Sequence, residues 1–177
     1  MGNELALPYY LAMLTEAYGK AGRAGEGLRI LAEAQAIAHK NAEHRFDAEL
    51  LRLKGELLLQ QARERDSGRT ASPDTAMMAE VEQEGMTQAL PLQTAAEICF
   101  RQGLNVARQQ HAKSFELRAA TSLSRLWQAQ GKRAEAHQLL AESYGWFTDG
   151  LETADLQEAK ALLDTLAGAE GKASCEA

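Results

Sequence analysis

Cysteine, proline and long apolar runs are all scarce in this sequence, and each scarcity removes a class of protein. The 177 residues hold two cysteines, Cys99 and Cys175, too few for a disulfide framework. Cys99, beside Phe100, reads as a small buried apolar thiol, and Cys175 falls in a polar tail. A reduced, cytoplasmic setting is expected. No stretch of about 18 apolar residues occurs, so no membrane span is expected. The opening Met1-Gly-Asn-Glu-Leu-Ala lacks the basic and apolar segments of a secretory signal. Ala6 also stands where a myristoylation motif wants Ser or Thr. A basic excess is missing too: the formal charge is −6, which counts against a general nucleic-acid binder.

The spacings that catalysis needs are equally thin. His39, His44, His111 and His137 form no H-x-x-x-H or H-E-x-x-H pair, and no cysteine pair completes a zinc set. Gly19-Lys-Ala-Gly-Arg-Ala-Gly25 is glycine-rich, yet it lacks the G-x-x-x-x-G-K-[ST] spacing and follows a helical pattern instead of a strand. Ser122 and Ser124 sit within a helical pattern, with no strand-turn-helix elbow around them. Glu152 and Asp155 read as first-turn acids that favour the positive end of a helix. The expectation is a non-enzymatic chain with no cofactor and no metal.

What the sequence does have is helical periodicity. Apolar residues recur every three or four positions in seven segments, near 8–21, 25–40, 45–64, 92–110, 114–130, 133–147 and 154–166. The first carries Tyr10, Leu11, Leu14, Ala17 and Tyr18 as its expected inward stripe. The second carries Leu28, Leu31, Ala34, Ile37 and Ala38. The third has Phe46, Leu50, Leu51, Leu53, Leu57 and Leu58, and the fourth Ala95, Ala96, Cys99, Phe100, Leu104 and Val106. Gly22, Gly131 and Gly168 are expected helix stops, and Thr153 an N-cap. The period lapses over about 65–91, where Asp66-Ser-Gly-Arg-Thr-Ala-Ser-Pro-Asp is rich in turn formers and reads as disordered. The expected organisation is one all-α domain over 1–167 with that insertion, followed by a flexible tail over 168–177.

The helices also repeat in pairs. Leu11-Ala-Met-Leu-Thr-Glu-Ala-Tyr-Gly-Lys-Ala-Gly22 precedes Arg-Ala-Gly-Glu-Gly-Leu, and Ala120-Thr-Ser-Leu-Ser-Arg-Leu-Trp-Gln-Ala-Gln-Gly131 precedes Lys-Arg-Ala-Glu-Ala-His. In the first pair, small Gly27 and Ala34 are expected to face Leu14 and Tyr18. In the last, Ala136 and Ser143 would face Leu123 and Trp127. Small side chains at such places let antiparallel helices approach closely. A middle pair matches through Leu51, Gly55 and Leu58, then Ala96, Phe100 and Gly103, with the insertion at its turn. Repeated helix pairs are the mark of an α-solenoid of about three pairs, here closed by a C-terminal capping helix.

This spacing resembles the tetratricopeptide repeat. Leu11, Leu14, Tyr18, Gly27, Leu31 and Ala34 match its small-large pattern in one copy, and Leu123, Ser124, Trp127, Ala136, Leu140 and Ser143 in another. Lys54 departs from it at an expected apolar site. In that family the first helices of each pair line a concave face. The resemblance therefore implies a groove made by Tyr9, Met13, Glu16 and Lys20, by Glu49, Arg52, Leu53, Glu56 and Gln60, and by Arg118, Ser122, Arg125 and Gln128. Such a groove would be acidic early and basic late, suited to an extended peptide or helix of opposite polarity. The carboxylate clamp of some family members is not matched, because Glu16, Glu56 and Arg125 stand where asparagine would be.

A narrower likeness lies in Glu49-Leu-Leu-Arg-Leu-Lys-Gly-Glu-Leu-Leu-Leu, Ala112-Lys-Ser-Phe-Glu-Leu-Arg-Ala-Ala-Thr-Ser-Leu and Leu139-Leu-Ala-Glu-Ser-Tyr-Gly-Trp-Phe-Thr-Asp-Gly-Leu. These strings resemble the C-terminal repeat region of large bacterial signalling proteins, in which a class III adenylate or guanylate cyclase or a regulator domain precedes an AAA-like ATPase module. The likeness implies a protein-protein interaction module in signal transduction, its partner a protein, a peptide or another domain of the same protein. Two alternatives remain beside it: a homo-oligomerisation element, and a nucleotide-processing enzyme fragment.

Overall fold

The computed structural model describes residues 7–69, 79–150 and 152–168, with the side chains of 66–69 and 79–90 outside that description. Among the described residues the chain is all-helical. Its elements are α1 (Leu7–Lys20), α2 (Ala24–Lys40), α3 (Asp47–Arg69), α4 (Ala79–Gln109), α5 (Lys113–Ala129), α6 (Arg133–Tyr144) and α7 (Ala154–Ala167). Most ends fall within two or three residues of those expected. The exceptions flank the insertion: α3 runs on to Arg69, and α4 starts at Ala79 instead of near Leu92, with Pro91 inside it. Ala79-Glu-Val-Glu-Gln-Glu is built mostly of strong helix formers, a propensity that apolar periodicity does not register. Residues 70–78 and the tail beyond Gly168 lie outside the described residues.

The chain divides into two compact units, Met1–Cys99 and Phe100–Ala177, with the division falling inside α4. In the first, α1 packs on α2, α2 packs on α3, and α1 also meets α3. Leu31, Ala34 and Ala38 of α2 bury against Leu50, Leu53 and Leu57 of α3, together with Ala12 and Ala24. Gly27 permits the approach. A Cβ there would stand 2.9 Å from Leu57 Cδ2 and 3.5 Å from Tyr18 Cβ.

Part of the stripe expected to face inward on α1 is turned outward, while Leu11 packs against the core and Tyr18 stays half-buried. Tyr10, Leu14 and Ala17 are exposed, and the buried residues are Pro8, Ala12 and Thr15. Gly27 accordingly meets Tyr18 and Leu57, with Leu14 pointing away from the core. Close approach is the reason. A Cβ on Gly19 would already touch Leu57 at 3.4 Å, so only small side chains fit on this side of α1.

In the second unit α5 packs on both α6 and α7, and α6 on α7. Leu117, Leu123, Leu140, Leu156 and Leu166 fill it, with Ala119, Ala120, Ala136 and Ala159 at the close contacts. Ser124 Oγ donates to the Ala136 carbonyl at 3.0 Å, tying α5 to α6 where both chains are small.

The turns recur as the helices do. Gly22 (φ 72°) and Gly131 (φ 80°) are left-handed, and the residue after each donates back to Tyr18 and Trp127. Two further helices end the same way without glycine. Ala42 (φ 51°) and His111 (φ 54°) are left-handed, and Glu43 N and Ala112 N donate to the Ala38 and Ala107 carbonyls. Thr153 occupies the N-cap of α7 with an extended backbone, but its side chain makes no capping bond.

Candidate interaction surface

Helix α1 places Tyr9, Met13, Glu16 and Lys20 along one line, at steps of four, three and four residues. Tyr9 stacks near Phe46 at 5.5 Å between ring centroids, which joins this line to the start of α3. Lys20 Nζ lies 3.0 Å from Glu16 Oε1. Glu49, Arg52 and Glu56 follow on α3, and their charges converge on the guanidinium. Arg52 donates from Nε and Nη2 to the two Glu49 oxygens at 2.9 and 2.8 Å, and its Nη1 stands 3.7 Å from Glu56.

This pair is buried: Glu49 keeps 6% of its surface and Arg52 8%. Burial alone would pull the guanidinium down. The Glu49 bond and charge, then Glu56, then Glu16 across from α1, more than offset it and hold Arg52 above its ordinary value. A buried bidentate pair of this kind fixes the geometry of α3 instead of offering a charge to a ligand. Leu53 is a core residue as well. What remains outward in the first unit is Tyr9, Met13, Glu16, Lys20, Glu56 and Gln60, exposed or half-buried, with Gln60 donating to Glu64 at 3.0 Å.

The remaining expected groove residues, Arg118, Ser122, Arg125 and Gln128, lie in the second unit and are described with it. Ser122 is buried. Arg118 lies 3.9 Å from Asp155, and Arg125 pairs with Glu158, so the two arginines of α5 meet acids three residues apart on α7. Gln128 is half-buried. The basic character expected for this end is thereby offset by α7. The i, i+3 spacing of Asp155 and Glu158 was present in the sequence as its only signal.

A second charge cluster was not singled out from the sequence at all. Glu116, buried at the start of α5, accepts from Arg108 Nε at 2.9 Å and from Lys113 Nζ at 2.7 Å. Burial raises its carboxyl, but the Lys113 and Arg108 bonds and charges win and hold it below the ordinary carboxylate range. Arg108 belongs to α4, so the cluster needs the fold to assemble.

Elsewhere the chemistry is sparse. His44 Nδ1 pairs with Asp47 at 2.8 Å on the surface. Cys99 is buried, and burial pushes its thiol up against a smaller opposing effect of Lys54. Among the described residues no group of three or more His, Cys, Asp or Glu is placed to hold a metal, and no helix is long and apolar enough to cross a membrane. No family model, curated protein or solved structure matches this chain.

Proposed function

We propose that the chain is a non-enzymatic protein-interaction module, a tetratricopeptide-like α-solenoid whose first-helix face takes an extended peptide or helix. One observation carries the solenoid: α1–α2 and α5–α6 align without a gap at an offset of 109, counted from Gly22 to Gly131, with Leu14/Leu123, Glu26/Glu135, Leu31/Leu140 and Glu33/Glu142 identical. Thr15 and Ser124 are both fully buried, Gly27 and Ala136 both sit at the close approach, and both turns use the same left-handed glycine. Each pair is also followed by a helix touching both members, α3 in one unit and α7 in the other. Repetition at this level builds surfaces from stacked units, each burying the face its neighbour leaves open.

Within the first unit, the binding surface is the line Tyr9, Met13, Glu16 and Lys20 with Glu56 and Gln60, two apolar residues beside a mixed-charge strip. The likeness to the repeat regions of bacterial cyclase and AAA-like ATPase proteins extends the proposal to a cytoplasmic regulatory role. There, occupancy would bias a neighbouring activity by its differential affinity for two states.

Selection of peptides from a display library against the purified chain tests the reading. Selected peptides should lose about 10-fold or more in affinity with Met13→Glu or Glu56→Lys, and keep it with Arg29→Glu on exposed α2 surface. Peptides indifferent to both groove variants would refute the surface. Saturable ATP binding by the purified chain would refute the non-enzymatic reading.

A further inference from the structure

Helix α1 carries a second surface, separate from the one above. Leu7, Tyr10, Leu14 and Ala17 of α1, with Ala21 in the turn just after it, are all exposed, and their spacings of 3, 4, 3 and 4 are those of an a–d–a–d–a seam. They lie on nearly the opposite side of the helix from buried Pro8, Ala12 and Thr15. Tyr10 keeps 58% of its surface and Leu14 44%, and Met13 flanks them at 52%. An unbroken apolar strip of this kind is rare on a monomer unless something covers it.

The equivalent face in the other copy is buried, and α4 reaches it near both ends. Stepping from α1 to α5 by the same offset of 109 turns Leu7, Tyr10, Leu14 and Ala17 into Glu116, Ala119, Leu123 and Leu126. All four of those are buried. The C-terminal half of α4 runs antiparallel along α5, with Arg108 bonded to Glu116 near one end and Arg101 over the Trp127 ring at 5.5 Å near the other. In α1 the acid that receives Arg108 is replaced by Leu7, and the Tyr18 ring is covered by its own neighbour Arg23 at 4.9 Å. The helix-receiving face is retained, and its polar lock is gone.

We propose that this face pairs with the same face of a second copy, α1 lying antiparallel on α1 about a two-fold axis near Leu14. The seam is self-complementary in that direction only. Its bulky end, Leu7 and Tyr10, comes opposite the small end, Ala17 and Ala21, of the partner. A parallel arrangement would stack bulky on bulky and leave a gap beside the alanines. Charge does not oppose the approach, because Glu16–Lys20 and Arg23–Glu26 are already paired within each chain. A seam contributed by one helix from each copy lies at the low end of specific interface size, so the dimer is weak.

Sedimentation velocity from about 1 µM to about 500 µM should show a reversible monomer–dimer equilibrium. Leu14→Glu and the smaller change Ala17→Glu should each weaken it about 30-fold, with helix content by circular dichroism unchanged because both sites are exposed. In a Cys175→Ser background, Leu14→Cys should oxidise readily to a covalent dimer. Leu7→Cys should not, since the two copies of residue 7 would stand about 20 Å apart. A strict monomer throughout, a dimer indifferent to both seam variants, or crosslinking through residue 7 as readily as through residue 14 would each overturn the pairing. None of these outcomes bears on peptide binding at Glu56.

Discussion

Ser124 donates its hydroxyl to the Ala136 carbonyl at 3.0 Å, whereas Thr15, its counterpart in the first helix pair, is equally buried and has no hydrogen-bond partner for Oγ1. The two residues occupy the same slot, so their substitutions should diverge. Ser124→Ala removes a made bond and should cost about 1 kcal/mol in urea unfolding. Thr15→Val keeps the shape and removes an unpaired hydroxyl, so it should be neutral or stabilising by up to about 1 kcal/mol. A loss above about 1 kcal/mol for Thr15→Val would show that its hydroxyl is satisfied in solution.

The non-glycine left-handed turns make a second contrast. Ala42 and His111 hold φ of 51° and 54°, a conformation that costs an L-residue about 1 kcal/mol relative to glycine. Ala42→Gly and His111→Gly should therefore raise stability by about 0.5–1 kcal/mol each, and Gly22→Ala and Gly131→Ala should lower it by about as much. Thermal melts of the four variants check the sign. Neither Gly22 nor Gly131 has anything within 4 Å of its Cβ position, so the effect is one of backbone conformation without a packing change.

At Gly27 the conflict is steric. A methyl there gains about 1 kcal/mol in helix propensity but meets Leu57 at 2.9 and 3.1 Å. Gly27→Val adds bulk and a β-branch, and should cost about 1–3 kcal/mol. Combining Gly27→Ala with Leu57→Ala should be less damaging than the two separate losses summed, with a favourable coupling of about 0.5–1 kcal/mol. Strict additivity would deny the contact.

Glu116 sets part of the acid limb of stability. Its carboxyl is held below the ordinary range in the folded chain, so the unfolded chain binds its proton more readily. The stabilisation is fully present above about pH 4.3, the unfolded value, and is lost as pH falls through the lower folded value. Glu116→Gln should be less stable than the parent at neutral pH and show a shallower decline below about pH 4. Urea midpoints across that window make the comparison. Parallel declines for the two proteins would remove Glu116 from the account.

The sequence by itself determined the number of helices, most of their ends, and the turn glycines Gly22 and Gly131, because these follow from local propensity and from spacings only a few residues long. The 3.6-residue period located Leu31, Ala34, Leu50, Leu57, Ala96, Phe100 and Leu123 in the interior, where they lie. Periodicity fails where both sides of a helix are apolar, and on α1 it selected Tyr10, Leu14 and Ala17 over Ala12 and Thr15. Which side turns inward there depends on how near α2 and α3 come, a distance that no single helix encodes. The same holds for charge. Glu49, Arg52, Arg118 and Arg125 read as surface residues one by one, yet tertiary packing buried the first two together and set the last two against α7. An electrostatic partner on another helix is a long-range property, and only the assembled fold decides it.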